Sequence, residues 1–268
     1  MKSKIILPLV FALLLVAANG MVKLASAEEA IKDFPFLPGE KLTYKLRWGL
    51  LTAGYAELEV LPYKDGSGEE NWHFVLTIRT SAFVDLVYKV RDRVESVTNP
   101  LLESTIFYKK KQREGSTNRD IEVRFSRENL TAVYSNKGQA INPIKIEPGT
   151  LDPLSSVYFI RTHELAEKME IVRPVTDGKK NVLGRARVVR RENVYVAGTK
   201  YDAYLVEPDL KDVRGVFEKS KDSRIRLWYT ADERRLLVKI RSKVIVGSFT
   251  GSLIKVFTPR TISTESLQ

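Results

Sequence analysis

Apolar and polar residues alternate along most of this chain, and a period of two is the mark of a half-buried β-strand. Leu42, Tyr44, Leu46 and Trp48 fall on one face of Lys41–Trp48. Tyr55–Leu61 follows as a hairpin partner, with Gly49 and Gly54 bracketing the connection. Trp72, Phe74, Leu76 and Ile78 share a face of Trp72–Arg79, and Val90–Val97 resumes the alternation. Between them, Ser81 can cap one or two helical turns over Ala82–Tyr88, with Phe83, Leu86 and Val87 on one side. Leu102–Arg113 and Asp120–Phe125 read as a long hairpin, and Ala132–Tyr134 as a short strand. Later strands are expected at Met169–Val175, Val182–Glu192, Val194–Val196, Lys200–Val206, Ile225–Tyr229, Leu236–Val246 and Phe249–Phe257. Asp177-Gly178 between extended runs is a hairpin signal. Pro208–Ser223 is polar and charged, and reads as a long mobile loop.

One stretch breaks the period. Pro153–Arg161 predicts a helix, with Asp152 as its cap and Pro153 at the first helical position, where a missing N–H costs nothing. Leu154, Val157, Tyr158 and Arg161 make a stripe with a basic end. An apolar helix amid strands has a sheet face as its natural partner. The expected fold is mainly β: a curved antiparallel sheet, or an open barrel-like meander, wrapping one central helix.

Residues 1–27 are expected to lie outside that fold. Lys2 and Lys4 precede the apolar run Ile5–Ala18, and Ala25-Ser26-Ala27 forms a small-residue cleavage site, which is the anatomy of a secretory signal peptide. Cleavage after Ala27 leaves a single β-rich domain over 28–268. The leader carries three lysines and no acid, so the net charge of +11 becomes +8. That excess suits anionic company: a membrane surface, a lipid or an acidic glycan. Nucleic acid is not expected for an exported chain. There is no cysteine, which removes disulfides, thiolate metal sites and a lipid-modified cysteine. Export without disulfides points to the periplasm.

Several stretches carry a family resemblance: Pro38–Tyr44 with Trp48 and Ala53-Gly54, the helix start Leu151–Ser156, Val196–Ala203, and Leu227–Leu236 with Val246-Gly247-Ser248. Together they resemble an exported bacterial family known only as domain of unknown function 3108. Leu237 stands where that pattern has a proline. The resemblance implies an envelope protein of antiparallel strands and brings no catalytic residues. The architecture is also similar to periplasmic lipoprotein carriers, whose curved sheet holds acyl chains around helices.

Candidate chemistry is sparse. His73 points away from the Trp72/Phe74 face, and His163 sits at the helix end as a dipole partner. Ser252-Leu253-Ile254-Lys255 spells a serine–x–x–lysine pattern, but on a strand i and i+3 face opposite ways. Phosphate loops, nucleophile elbows and dinucleotide fingerprints are missing. No catalytic residue, metal or cofactor is expected. Cations line up at strand spacing instead: Lys109, Lys111 and Arg113; Arg185, Arg187 and Arg191; Arg224 and Arg226; Lys239, Arg241 and Lys243. Neighbouring rows would merge into a patch for phosphate or carboxylate groups; otherwise each row is the solvated face of its strand, with acids such as Asp120 and Glu122 compensating. The reading is a non-enzymatic binding protein for an amphipathic anionic ligand such as a lipid. Tyr44, Trp48, Leu154, Tyr158, Arg161, Arg226 and Trp228 are its candidate ligand-binding residues. The alternative is an envelope scaffold that docks on another protein through a strand edge.

Overall fold

The computed structural model describes residues 34–66, 68–209, 225–243 and 248–259. The expected signal peptide, Arg224 and all but the first two residues of the expected loop at 208–223 lie outside that set. Residues from Pro35 onward form one compact unit.

The first strands are β1 (Lys41–Trp48), β2 (Leu51–Lys64), β3 (Glu70–Thr80) and β4 (Arg91–Thr98), with the short helix α1 (Ala82–Asp85) between the last two. Then come β5 (Thr105–Glu114), β6 (Thr117–Ser126), β7 (Thr131–Asn136), β8 (Gln139–Ala140) and β9 (Ile144–Lys145). Helix α2 (Pro153–Arg161) precedes β10 (Glu170–Thr176), β11 (Asn181–Val196) and β12 (Thr199–Asp209). The last three are β13 (Ile225–Thr230), β14 (Leu237–Lys243) and β15 (Ser248–Phe257).

These strands make one antiparallel sheet with a permuted order. The path runs from β10 through β15, crosses to β1, and continues to β8, with β9 beside β7. The seam is β15 on β1, with Tyr44 opposite Leu253 and Trp48 opposite Phe249. Five of the strand pairs carry bulges, and each extra residue bends the sheet. Where the notional connection between β1 and β2 spanned Gly49 to Gly54, the turn is only Gly49-Leu50. Gly54 belongs to β2, where a Cβ would lie 2.1 Å from the Arg79 carbonyl oxygen.

The sheet is not closed by hydrogen bonds, yet its ends approach one another. Gly178, in the β10–β11 turn, has φ 89°. A Cβ there would sit 2.7 Å from Val123 of β6. Leu151 bridges Val175 of β10 in parallel, while the Thr105 amide donates to the Thr150 carbonyl. The edge of β10 therefore already carries a partner, and Pro174 within it offers no N–H.

Helix α2 spans the predicted residues, and its two ends explain why it sits inside the sheet. At the N-terminus the buried Asp152 carboxylate accepts from the amides of Leu154 (2.8 Å) and Ser155 (3.1 Å). It also accepts from the hydroxyls of Ser96 on β4 and Thr105 on β5. Thr105 and Ser155 hydroxyls accept from the Asp152 amide in return. Between the ends, Tyr158 stacks on Phe74 at 3.9 Å, and Phe36 meets Trp72, Phe74 and Tyr158 edge-on. The buried face differs from the expected stripe: Leu154, Tyr158 and Arg161 are buried together with Ser155 and Ile160, while Val157 is only half-buried.

Removing the cap orphans two buried hydroxyls and two amides together. Asp152→Ala is expected to lower unfolding free energy by about 3 kcal/mol, read by urea denaturation.

Candidate functional site

The structure divides the seven candidate residues between two places. Tyr44, Leu154, Tyr158 and Arg161 meet in the interior; Trp48, Arg226 and Trp228 lie elsewhere on the sheet.

Within the interior group, Arg161 and Tyr44 spend their hydrogen bonds on the protein itself. Arg161 donates to Glu40 through Nη1 (2.6 Å) and Nη2 (3.0 Å), to the Pro35 carbonyl (3.0 Å) and to the Arg234 carbonyl (3.0 and 3.3 Å). Its guanidinium also lies over the rings of Phe36 and Tyr158. Burial opposes its charge, but the Glu40 carboxylate more than offsets this and raises the Arg161 pKa. The Tyr44 hydroxyl donates to the Leu237 carbonyl at 2.7 Å, and that of Tyr229 donates to the Val157 carbonyl at 3.1 Å. Burial pushes the pKa of Tyr44, Tyr158 and Tyr229 upward. The Tyr158 hydroxyl alone among these tyrosines is buried without a hydrogen-bond partner.

Arg226 and Trp228 sit on the outer face, whereas Trp48 keeps the Tyr44 face of β1 at the strand's exposed end. Trp228 alternates with the inward Tyr229 and donates through Nε1 to Glu192 (2.9 Å), whose carboxylate also takes Arg190. Lys239 lies 5.0 Å above the Trp228 ring. Strand register then sets out two parallel lines of side chains. One runs Arg226, Arg241, Thr250, Arg47; the other runs Trp228, Lys239, Ser252, Lys45. Like charges directly opposite repel. Glu207 answers Arg226 at 2.8 Å. Among the described residues, Lys45, Arg47 and Arg241 make no ion pair. Burial and the neighbouring Arg241 hold the Lys239 pKa below its ordinary value.

Most cations of the other rows meet acids, Asp120 and Glu122 among them as expected, although Lys111 makes no ion pair among the described residues. Lys109 pairs with Glu122 (2.6 Å), Arg113 with Asp120 (3.2 Å), Arg185 with Glu170 (2.9 Å) and Arg191 with Asp202 (2.6 Å). His163 bonds the Phe159 carbonyl at 2.9 Å, with its pKa lowered by burial, so it answers a helix-end carbonyl as a neutral ring. His73 meets Glu95 at 3.2 Å. Ser252 and Lys255 pair with Lys45 and Thr43, because a bulge at Ile254 cancels the expected parity. Three residues of extended strand still separate them by about 10 Å. Among the described residues, no cluster of three or more His, Asp or Glu could hold a metal ion.

Two features escaped the sequence reading. Asp92 on β4 is buried; burial and the adjacent Glu114 carboxyl push its pKa up to about 6, against the Arg113 amide that donates to it at 2.8 Å. Second, the side chains of Phe83, Leu86 and Val87 stand in solvent, and α1 is only four residues long.

An open, barrel-like antiparallel meander around one capped helix defines the class of this protein. A solved structure of the same kind is similar to it: a beta-barrel-like protein of domain of unknown function DUF1849 from Brucella abortus, at 14% identity and TM-score 0.58, covering 84% of this chain and 99% of that one. Residues 43–254 match the family described as "Protein of unknown function (DUF3108)", and the chain belongs to that family. No curated protein matches it.

Two expectations follow. Arg161→Ala leaves Glu40 buried without its cation and is expected to cost about 4 kcal/mol, while Tyr158→Phe changes stability by less than about 1 kcal/mol, both by denaturant titration. Asp92 has a raised folded-state pKa, so its stabilising contribution is whole below about pH 4 and is lost as pH rises through about 6. Asp92→Asn should therefore flatten stability between pH 4 and 8, gaining about 2 kcal/mol at the upper end over the parent.

Proposed function

We propose that this protein is a non-catalytic binding protein of the cell envelope, exported to the periplasm, that engages anionic amphipathic material on its outer face. One observation carries the reading: Lys45, Arg47 and Arg241 are aligned by register and lack carboxylate partners among the described residues, beside an Arg226/Trp228 pair that is compensated. Lipid phosphate is the natural complement of such a row, which also keeps the chain's basic excess in use. A cargo held between sheet and helix finds less support, because Arg161, Tyr44 and Tyr158 are engaged with the protein itself. Docking by strand addition also finds less support, because β10 carries Leu151 and β7 carries β8 and β9.

The test is sedimentation of the exported, leader-free protein with vesicles of phosphatidylcholine, with and without phosphatidylglycerol. Binding should require the anionic lipid and weaken with salt. Changing Lys45, Arg47 and Arg241 to Gln together should cost about 3 kcal/mol, roughly a hundredfold in affinity, with no change in melting temperature. Equal partition onto neutral and anionic vesicles, or none onto either, overturns the reading.

A further inference from the structure

Four large apolar side chains have no part in the core: Leu50 is 91% exposed, Phe83 66%, Leu86 83% and Val87 87%. They belong to two connections at one end of the sheet. Leu50 lies in the β1–β2 turn, and the other three lie in and just after α1. Ser81 ties the two together. Its amide donates to the Ala53 carbonyl (2.9 Å) and its hydroxyl to the Thr52 carbonyl (3.2 Å), at the start of β2. Trp48 completes the group, paired with Leu51 on one side and stacked on Phe249 at 6.2 Å on the other.

The patch is braced rather than floppy. Asp85 accepts from the Thr80 hydroxyl and from Arg91 (3.0 Å), which closes the connection on itself. The Gly115 amide donates to the Lys89 carbonyl at 2.9 Å. A Cβ on Gly115 would lie 2.7 Å from the Tyr88 ring, so the β5–β6 turn backs the same connection. A preformed exposed apolar surface of this kind marks an interaction site. Its chemistry is aliphatic at the tips and aromatic at the flank. Arg47 adjoins Trp48 on β1, and Arg241 is two strands away in the same register line. Apolar tips, flanking rings and cations behind them are what a bilayer interface selects.

We propose that this end of the sheet inserts into the surface of a bilayer containing anionic lipid. Leu50, Phe83, Leu86 and Val87 enter the acyl boundary, Trp48 and Phe249 lie at the headgroups, and Lys45, Arg47 and Arg241 meet phosphates. The inference rests on the surface reading above and adds an orientation: the β1–β2 turn faces the membrane.

Tryptophan fluorescence tests it. Trp72 and Trp228 are buried and Trp48 is partly exposed. The exported protein is mixed with phosphatidylglycerol vesicles whose lipids carry bromine on the acyl chains. Its emission should be quenched, and Trp48→Phe should remove that quenching. Changing Leu50, Leu86 and Val87 to Ser should weaken vesicle binding at least tenfold while leaving its salt dependence and the melting temperature intact. Salt-sensitive binding by the parent without quenching overturns the insertion and leaves the surface reading standing. Absence of binding to phosphatidylglycerol vesicles overturns both and turns attention to a protein partner for the apolar patch.

Discussion

A guanidinium buried in the core of a β-rich fold is the constraint around which the rest is arranged. Arg161 ends α2 inside the fold, where each unmatched N–H would carry the full cost of lost water. Its partners come from two distant parts of the chain: Pro35 and Glu40 before β1, and Arg234 in the β13–β14 turn. Asp152 plays the matching part at the other end, gathering β4 and β5. The helix is thereby held at both termini by charged groups whose bonds are filled. A core fixed this way favours one arrangement over many, and leaves little freedom to open around a guest.

Interaction is left to the surface, which is built from two different materials. On the face spanning β13 to β1, cations follow the register. At the end carrying the β1–β2 turn and α1, apolar side chains project beyond the backbone. The apolar end adds little to the core, since Leu86 and Val87 are almost wholly exposed.

Much of the fold was legible in local pattern. The alternation around Tyr44 and Trp72 and the Asp152-Pro153 start of α2 needed no knowledge of distant residues. What stayed hidden depends on which strands become neighbours. Glu122 can be matched to the Lys109 row from the sequence, but the tryptophan ring under Lys239 is seen only once β13 and β14 are neighbours. Glu40 looks like a turn residue until Arg161 arrives 121 positions later. Phe83, Leu86 and Val87 look like a buried helix face, because periodicity reports amphipathicity and cannot say whether the apolar side meets protein or something outside it. The inward face of Tyr44 follows from the alternation, but the Leu237 carbonyl it bonds and the Phe74 ring on which Tyr158 stacks lie far away in sequence.

The β1–β15 seam has a consequence for how this molecule comes into being. β1 lies in the middle of the sheet, yet one of its two edges is completed only by the last strand, Ser248–Phe257. A ribosome delivers the first strand long before the last, so half of β1's backbone groups wait for nearly the whole polypeptide to emerge. Such distant pairing makes for slow acquisition of structure and a long interval in which an unpaired edge is open to strangers.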